Sequence, residues 1–403
     1  MSEIFIFGIS GDLFPEEHVS RLRSCSAVVV SKRFEPLLPE IDGRRIPVAP
    51  VREMVEAVAE ALELGDVAVT ASGDPLFFGI GRTMINRFGP ERVRVFPALS
   101  AVQLACARFR VPWDDLTLIS FHGRDPGRLA GRILGHEKVM LFTDHRNTPD
   151  RIAETLMRTL ERYGNRERLR KIRIRVAENL GTGAEKLTDG SPDAIAQMAF
   201  SPLNMMLIEQ ELNEPDLPVF GLKEKEITHS RGLITKDEVR AVILHCLRLP
   251  EHGILWDVGG GSGSISVEAA NLSPGLDVYT VEKKNEGLEN IRSNIVRFNL
   301  YTIHLVPGEA PEQLQTLPDP DRVFIGGSGG RLAEIIQHAA ERLVPGGLLV
   351  VSAVLAETAA LAPELMTAAG LEVDVRTVAV RRHGVQGISE KNLNPITIIT
   401  GRK

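Results

Sequence analysis

A glycine-rich turn in the C-terminal half is the segment whose composition most clearly requires a functional explanation. The sequence "LWDVGGGSGSISVE", residues 255–268, places four glycines within five positions between an apolar run and a predicted helix. Glycine lacks a Cβ and reaches left-handed backbone conformations freely, so such a turn lets the backbone approach a ligand closely. Turns of this kind hold nicotinamide dinucleotides, nucleoside phosphates or S-adenosylmethionine. The spacing has to distinguish these ligands.

The spacing of the glycines disfavours a dinucleotide. The dinucleotide fingerprint requires a third glycine, but Ser264 or Ser266 occupies that place in either register. A different pattern is fully present, in which an acidic residue is followed by glycines at every second position. This pattern is typical of class I methyltransferases. In such a turn, backbone N–H groups meet the carboxylate of S-adenosylmethionine. The predicted contact residues of the turn are Asp257, Gly259, Gly260, Gly261, Ser262 and Gly263.

Two later segments fit the same ligand. "VYTVEKK" ends a predicted strand with Glu282, nineteen residues after Gly263, and a carboxylate there can accept hydrogen bonds from both ribose hydroxyls. "VPGEAPEQL" follows the third strand and places Gly308, Glu309 and Ala310 where such folds contact adenine. Each feature alone is common in proteins without this ligand. In order, on successive predicted strands, they together predict an S-adenosylmethionine site.

Two segments of the N-terminal half also carry turn residues at predicted strand ends. They are "VTASGDPLFFGIG" (69–81) and "PALSAVQLACARFRVPWDDLTLISFHGR" (97–124). Both resemble the tetrapyrrole methylase family, the class III methyltransferases, whose S-G-D-P and P-G-I-S-S segments line an S-adenosylmethionine site between two α/β lobes. The resemblance implies that the cofactor contacts Ile9, Asp74, Phe77, Ser100 and Ala101.

The N-terminal half departs from that family at two places. Its first loop reads "FGISGDLFPEE" rather than G-I-G-P-G, and Ala98 stands where the family has a glycine. Asp74 is retained, so the resemblance implies cofactor binding more directly than a substrate position. The segments "LFTDHRNTP", "VAENLG" and "SPLNMMLIE" most resemble the precorrin-6Y branch of the family.

The C-terminal half resembles the decarboxylating precorrin methyltransferase domain. The resemblance lies in "RGLITKDEVRAV", "DVGGGSGSISVE", "VFIGGSGG" and "NPITII", and Thr235 in the first of these is expected to contact the cofactor. Together, the two resemblances cover nearly the whole chain in the order of a fused enzyme. They imply an enzyme that uses S-adenosylmethionine to methylate carbons 5 and 15 of a corrin precursor and to decarboxylate the acetate at carbon 12, on the route to vitamin B12.

A tetrapyrrole substrate would bring several carboxylates, which arginine is suited to bind in bidentate fashion. Basic residues at helix starts and strand ends are equally typical of a solvated surface. The candidate substrate ligands in the C-terminal half are Arg231, Lys236, Arg381 and Arg382, with His383 beside them. His122 and Arg124 raise the same question in the N-terminal half.

No catalytic acid, base or nucleophile stands out in the sequence, and no metal site is predicted. Methyl transfer from a sulfonium to an enamine-like ring carbon needs mainly positioning and exclusion of water. Decarboxylation can use the protonated macrocycle as its electron sink, so the substrate carries the difficult step. We therefore assign no catalytic residue from the sequence.

Composition limits the other function classes. The net charge of -6 gives no broad attraction to nucleic acid or acidic lipid, and 5% aromatic residues disfavour an RNA methyltransferase. An NAD-dependent oxidoreductase is disfavoured by the glycine spacing. A cobalt-bearing substrate is the closer alternative and is slightly favoured by the ending "NPITIITG", which resembles stand-alone enzymes of the cobalt route. Widely spaced Cys25, Cys106 and Cys246 predict buried thiols rather than disulfides or zinc ligands.

Alternating apolar runs and helical patterns predict an α/β fold throughout. We expect a class III tetrapyrrole methylase domain of two α/β lobes over residues 1–212, a connector over 213–227 and a class I Rossmann-like domain over 228–403. In "TKDEVRAVILHCLRL", Thr235 is predicted to cap a helix with Glu238 as its capping-box partner. The sequence shows no secretion signal or membrane span, so we expect a cytoplasmic protein without membrane partners. We also expect a homo-oligomer that binds no nucleic acid.

Overall fold

The computed structural model describes residues 2–12, 14–120, 126–212, 217–383 and 391–403. Its contacts divide the chain into two compact units. One unit contains residues 1–122, 138–151 and 173–209, and the other contains residues 123–137, 152–172 and 210–403. These units follow spatial contacts rather than chain order, and the domain limits expected from the sequence remain a prediction.

The first unit begins with a five-stranded sheet in which every pairing is parallel, in the order β3-β2-β4-β1-β5. Its strands are β1 (Ile4–Ile9), β2 (Ala27–Val30), β3 (Arg44–Pro47), β4 (Val67–Ser72) and β5 (Val93–Phe96). Its helices are α1 (Val19–Arg23), α2 (Val51–Ala61), α3 (Gly81–Phe88) and α4 (Ala101–Phe109). The central strand β1 is buried along its whole length, as expected for a parallel strand covered on both faces.

A second five-stranded sheet follows in the order β6-β7-β10-β8-β9, with one parallel and three antiparallel pairings. Its strands are β6 (Thr117–Ser120), β7 (Lys138–Phe142), β8 (Arg173–Glu178), β9 (Lys186–Gly190) and β10 (Asn204–Glu209). The helices of this stretch are α5 (Pro126–Leu134), α6 (Pro149–Arg162), α7 (Arg166–Leu169) and α8 (Pro192–Ile195). The two sheets confirm the expected pair of α/β lobes.

The second unit is built on a seven-stranded sheet in the order β13-β12-β11-β14-β15-β19-β16. Its strands are β11 (His252–Val258), β12 (Gly275–Glu282), β13 (Ile303–Pro307), β14 (Arg322–Ile325), β15 (Leu348–Ala353), β16 (Glu372–Val378) and β19 (Ile396–Arg402). The first five are parallel, and β19 runs antiparallel to both of its neighbours. The helices are α9 (Asp237–Leu247), α10 (Ser264–Leu272), α11 (Asn285–Arg297), α12 (Leu332–Arg342) and α13 (Ala356–Ala368), and a short hairpin joins β17 (Arg381–Arg382) to β18 (Lys391–Asn392).

This sheet is the predicted doubly wound Rossmann-like arrangement. β11 lies between β12 and β14, so the chain leaves β11 in one direction along the sheet and returns to its other side. Such a reversal of strand order opens a crevice at the carboxyl ends of the strands, where open α/β sheets bind ligands. Trp256 at the centre of β11 is fully buried in the core that α12 and α13 cover.

Helices α5 to α7 belong largely to the second unit, although they come from the N-terminal half. The Tyr163 hydroxyl donates to the Ile303 carbonyl at 2.8 Å, and Arg162 donates to the Leu305 carbonyl at 2.8 Å, both on the edge strand β13. A Cβ on Gly131 would come within 2.5 Å of the Tyr301 carbonyl oxygen, so α5 packs closely there. A fragment that begins at Thr228 would lack all of these contacts.

One expectation about a helix start was wrong. Helix α9 begins at Asp237 with Lys236 as N-cap and without a side-chain capping bond. Thr235 lies one residue too early, and its carbonyl instead accepts a hydrogen bond from Arg240 at 2.8 Å. Glu238 is not a capping-box partner because its carboxylate binds Arg382.

Most predicted secondary-structure elements agree with the observed ones. The predicted strands are present within a few residues, whereas β3, β9 and the β17–β18 hairpin were not predicted. The three cysteines are free and buried, and burial raises the pKa of the Cys25 thiol to about 11. Among the described residues, no helix has both the length and the apolar character that crossing a membrane requires.

Candidate cofactor and substrate sites

A cavity of about 330 Å³ lies at the carboxyl ends of four neighbouring strands of the second unit. The turn after β11 contributes to its lining, as do the ends of β12, β13 and β14. Seven of the residues predicted to bind the cofactor line it, namely Gly259, Gly261, Ser262, Glu282, Gly308, Glu309 and Ala310. Segments separated by about fifty residues in the sequence therefore meet at the reversal of strand order, where the fold predicts a ligand.

The glycines of the turn after β11 are required for different reasons. Gly259 and Gly261 have φ values of 74° and 58°, which residues with a Cβ adopt only with strain. A Cβ on Gly259 would also lie 2.5 Å from the carbonyl oxygen of Gly327, in the loop after β14. A Cβ on Gly260 would clash with the Thr280 methyl group, whereas one on Gly261 would meet no atom within 4 Å. Gly259 and Gly260 thus permit close packing, and Gly261 presents bare backbone to the cavity.

Glu282 is held at the cavity wall by the backbone. Its Oε2 accepts a hydrogen bond from the Gly261 N–H at 2.8 Å, and its Oε1 accepts from the N–H groups of Lys283 and Lys284 at 2.9 and 2.8 Å. The residue is only 8% exposed. A carboxylate offers about four acceptor positions, and the three backbone N–H groups occupy three of them. About one acceptor position is left for a ligand, whereas the sequence prediction assigned hydrogen bonds from two ribose hydroxyls.

Asp257 lies beneath the turn and does not line the cavity. It is 1% exposed, and its Oδ2 accepts a hydrogen bond from the Ser266 hydroxyl, which also contacts the Thr280 hydroxyl at 2.7 Å. Its Oδ1 has no hydrogen-bond partner among the described residues. Burial raises the pKa of Asp257 to about 6, with a smaller contribution from Glu282, while the bond from Ser266 acts in the opposite direction. Gly260 and Gly263 likewise lie outside the cavity lining.

Asn294 supports the cavity wall from below, and sequence reasoning missed it. Its side chain is fully buried; Nδ2 donates to the carbonyls of Thr228 and Ser262, both at 2.9 Å, and Oδ1 accepts from the Thr228 N–H at 2.8 Å. It thereby ties residues 228–236 to the glycine turn, and Ser230 from this segment lines the cavity. The sequence signal that could have identified it is its position, because Asn294 is a polar residue within the buried stripe of an amphipathic helix. Buried polar groups need hydrogen-bond partners.

The predicted substrate ligands are engaged with carboxylates of the chain. Lys236 Nζ lies 2.6 Å from Glu224, and Arg382 lies 2.7 Å from Glu238 and 3.2 Å from Glu224. The hydrogen bond from Arg382 lowers the pKa of Glu238. These residues and Thr235 do not line the cavity.

The other candidates differ in exposure. The Arg231 side chain is 80% exposed, 3.6 Å from Glu286, a residue of the cavity wall. Arg381 and His383 belong to the segment of the β17–β18 hairpin, and both have interactions with neighbouring groups. His122 and Arg124 lie outside the described residues. A role for any of these residues in substrate binding remains a prediction.

The predicted N-terminal site residues gather at the carboxyl ends of β1, β4 and β5. These strands are neighbours in the parallel sheet, which brings together Ile9, Asp74, Ser100 and Ala101. A Cβ on Gly8 would clash with the Gly73 carbonyl, and one on Gly73 would lie 3.1 Å from the Ser100 Cα. Backbone therefore packs directly on backbone at this edge.

Two of these residues also shape their own turns. Ser100 caps α4 in a capping box with Gln103, accepting from the Gln103 N–H at 3.2 Å. Asp74 Oδ1 accepts from the Leu76 N–H at 2.8 Å. Phe77 packs against the core of the second lobe, with its ring centroid 6.1 Å from that of Phe142.

Two α/β folds, each with glycine turns gathered at the carboxyl ends of parallel strands, define this chain as a methyltransferase that joins a tetrapyrrole methylase domain to a class I domain. Residues 8–195 match the family model for tetrapyrrole (corrin/porphyrin) methylases, and residues 226–397 match that for the precorrin methyltransferase domain. The resemblance stated from the sequence and the expected fold class are thereby confirmed.

Relatives extend the match over most of the chain. The precorrin-6Y C(5,15)-methyltransferase (decarboxylating) of a Sinorhizobium species is 35% identical over 75% of this chain and 71% of its own. That of Mycobacterium tuberculosis H37Rv is 31% identical over 89% of this chain and 88% of its own. This chain therefore belongs to the family of decarboxylating precorrin-6Y C(5,15)-methyltransferases.

Shorter relatives match less than half of the chain. A probable cobalt-precorrin-6B C(15)-methyltransferase (decarboxylating) of Pyrobaculum calidifontis is 39% identical over 45% of this chain and 94% of its own. The crystal structure of a precorrin-6Y C5,15-methyltransferase from Geobacter metallireducens is 42% identical and covers 47% of this chain and 100% of that chain, with a TM-score of 0.46.

Proposed function

We propose that this enzyme methylates carbons 5 and 15 of a precorrin-6B-type tetrapyrrole with S-adenosylmethionine and removes the carboxyl group of the acetate at carbon 12. The observation that carries the proposal is the convergence of the glycine turn, Glu282 and the Gly308–Ala310 segment on one cavity. The site fits the cofactor, because bare backbone at Gly261 faces the cavity beside an anchored carboxylate. Membership in the family supports the substrate.

The chain's own residues would act by binding and orientation. S-adenosylmethionine supplies an electrophilic methyl group when bound. The amino-acid part of the cofactor would lie against the bare backbone of the glycine turn, Glu282 would accept from the ribose, and Ala310 would pack against the adenine. Such positioning can supply roughly 7 kcal/mol of the barrier reduction in a bimolecular reaction. In the decarboxylation, the bond to the carboxyl carbon breaks, carbon dioxide leaves, and the macrocycle takes up the electron pair and a proton.

We assign carbon 15 methylation and decarboxylation to the C-terminal domain, and carbon 5 methylation to the N-terminal domain. A shorter relative with a C(15)-methyltransferase name matches 45% of this chain, and a half-chain enzyme for carbon 15 supports this division. The N-terminal site would use Ile9, Asp74, Phe77, Ser100 and Ala101. We also propose that the enzyme is a cytoplasmic homo-oligomer that acts on no nucleic acid.

The metal-free substrate is the better supported of the two alternatives. The relatives that match most of the chain carry the precorrin-6Y name. The cobalt-bearing alternative, which the ending of the sequence slightly favoured, is not favoured by them.

The test is to incubate the full chain with S-adenosylmethionine and either metal-free or cobalt-bearing precorrin-6B and to weigh the products. We expect the metal-free substrate to gain two methyl groups and to lose one carbon dioxide. Calorimetry should give two S-adenosylmethionine molecules per chain. A product with neither methyl group would contradict the proposal.

A further inference from the structure

Phe78 combines an unfavourable backbone conformation with an exposed apolar side chain. Its φ is 54°, and among the described residues with positive φ other than glycine it is the only apolar one. A bulky residue in this region is a genuine outlier, and such strain persists mainly at functional sites. The residue is nevertheless 68% exposed, so burial of its side chain does not offset the strain.

The turn around Phe78 leaves its backbone little freedom. The Phe77 N–H donates to the Asp74 carbonyl at 3.1 Å, and the Gly81 N–H donates to the Pro75 carbonyl at 2.9 Å. A Cβ on Gly79 would lie 2.5 Å from the same Pro75 oxygen. The direction of the Phe78 side chain is therefore set by hydrogen bonds on both sides of it.

Two other aromatic rings support the Phe78 ring. Its centroid lies 5.0 Å from that of Phe77 at an interplanar angle of 81°, and 5.0 Å from that of Phe142 at 51°. Phe77 and Phe142 pack against the core of the second lobe. Phe78 is thus an oriented ring with most of its surface left open. Leu76 in the same turn and Leu99 in the neighbouring turn are also about half exposed.

We propose that Phe78 is a positioning residue that stacks against the conjugated ring system of the tetrapyrrole during carbon 5 methylation. This inference rests on the proposed function. Aromatic rings attract other π-systems in offset or edge-to-face geometry, and a corrin precursor offers such a system together with apolar ring edges. Phe78 lies four residues after Asp74, which places the ring at the predicted N-terminal cofactor site.

The test uses Phe78→Gly, which removes the ring and relieves the strain. We expect the unfolding temperature to stay the same or rise, because glycine adopts positive φ freely. We expect KM for the tetrapyrrole in carbon 5 methylation to rise about tenfold, while the affinity for S-adenosylmethionine is unchanged. A residue with only a packing role would lower the unfolding temperature instead. Phe78→Tyr keeps the ring and should retain the wild-type KM.

Arg110→Gly is the matched control, since Arg110 is exposed and has a φ of 58° in the same unit. It should change stability as Phe78→Gly does and leave methylation unaltered. If the wild type methylates the tetrapyrrole, an unchanged KM or a lowered unfolding temperature in Phe78→Gly would overturn the inference. A wild-type chain that binds S-adenosylmethionine but does not methylate the tetrapyrrole would overturn the proposed function and this inference with it.

Discussion

The predicted cofactor sites of the two halves differ in what holds their polar groups. In the C-terminal site, the Glu282 carboxylate accepts three backbone hydrogen bonds, and a network of Asp257, Ser266 and Thr280 lies buried below the turn. In the N-terminal site, Asp74 accepts a backbone hydrogen bond from Leu76 in its own turn, and apolar side chains beside it are exposed. One site is therefore arranged around anchored polar groups, whereas the other presents apolar surface.

We infer from this comparison that changes in the C-terminal site disturb both cofactor binding and the fold around it. Changes in the N-terminal site should disturb the reaction with less effect on the fold. The following variants test this difference, beginning with the largest expected effect.

Gly259→Ala should abolish carbon 15 methylation and the release of carbon dioxide. The added Cβ would lie 2.5 Å from the Gly327 carbonyl oxygen, and the alanine would have to adopt a φ near 74°. Calorimetry should then find one S-adenosylmethionine per chain instead of two. Gly346→Ala is the control, because it has a φ of 78° but no atom within 4 Å of the added Cβ. If both variants lost carbon 15 methylation equally, backbone strain alone would explain the effect.

Asp74→Ala should stop the reaction after one methylation and the decarboxylation. We expect carbon 5 methylation to slow at least tenfold, since a hydrogen bond to a charged group contributes about 1.5 to 3 kcal/mol. Mass spectrometry of the product checks this, with Asp114→Ala as control at an exposed position of the same unit. Retention of both methylations would contradict the division of labour between the halves.

Glu282→Ala should lower the affinity of the C-terminal site for S-adenosylmethionine at least tenfold. The ligand loses a charged acceptor, and the Gly261 N–H loses the partner that orients the turn. Titration calorimetry measures the affinity, and Glu289→Ala is the control at an exposed position on α11. If affinity is unchanged, Glu282 does not bind the ribose. The unfolding free energy should also fall by about 1 to 3 kcal/mol, because buried N–H groups lose their acceptor.

Asp257→Asn should change the pH dependence of stability. Burial raises the pKa of Asp257 to about 6 in the folded chain, above its unfolded value near 3.9. The folded state then binds the proton more tightly, so the contribution of this group to stability is fully present below pH 4 and is lost as pH rises to about 6.

The measurement is the free energy of unfolding of the wild type and Asp257→Asn at pH 4.5 and pH 7. Relative to the variant, the wild type should lose about 1 to 3 kcal/mol over this range. Parallel pH profiles would mean that Asp257 is ionised at the usual pH in the folded state.

Elements with short-range signals could be predicted from the amino-acid sequence. Most strands of both halves, the glycine turn and the carboxylate at the end of β12 were predicted, because alternation, apolar runs and glycine spacing are local properties of a chain. The turn residues Gly259, Gly261 and Ser262 do line the predicted cavity. The resemblance of whole segments added the domain order, which no single motif could supply.

Tertiary structure alone decided which groups become partners. Asp257 matches the pattern yet lies beneath the turn, Glu238 binds Arg382 across 144 residues instead of capping its own helix, and Asn294 joins two segments that no local pattern connects. The physical reason is that hydrogen bonds and ion pairs depend on distances in space. A buried polar group takes whichever partner the packed fold brings within about 3 Å, and the sequence records the need for a partner without recording its identity.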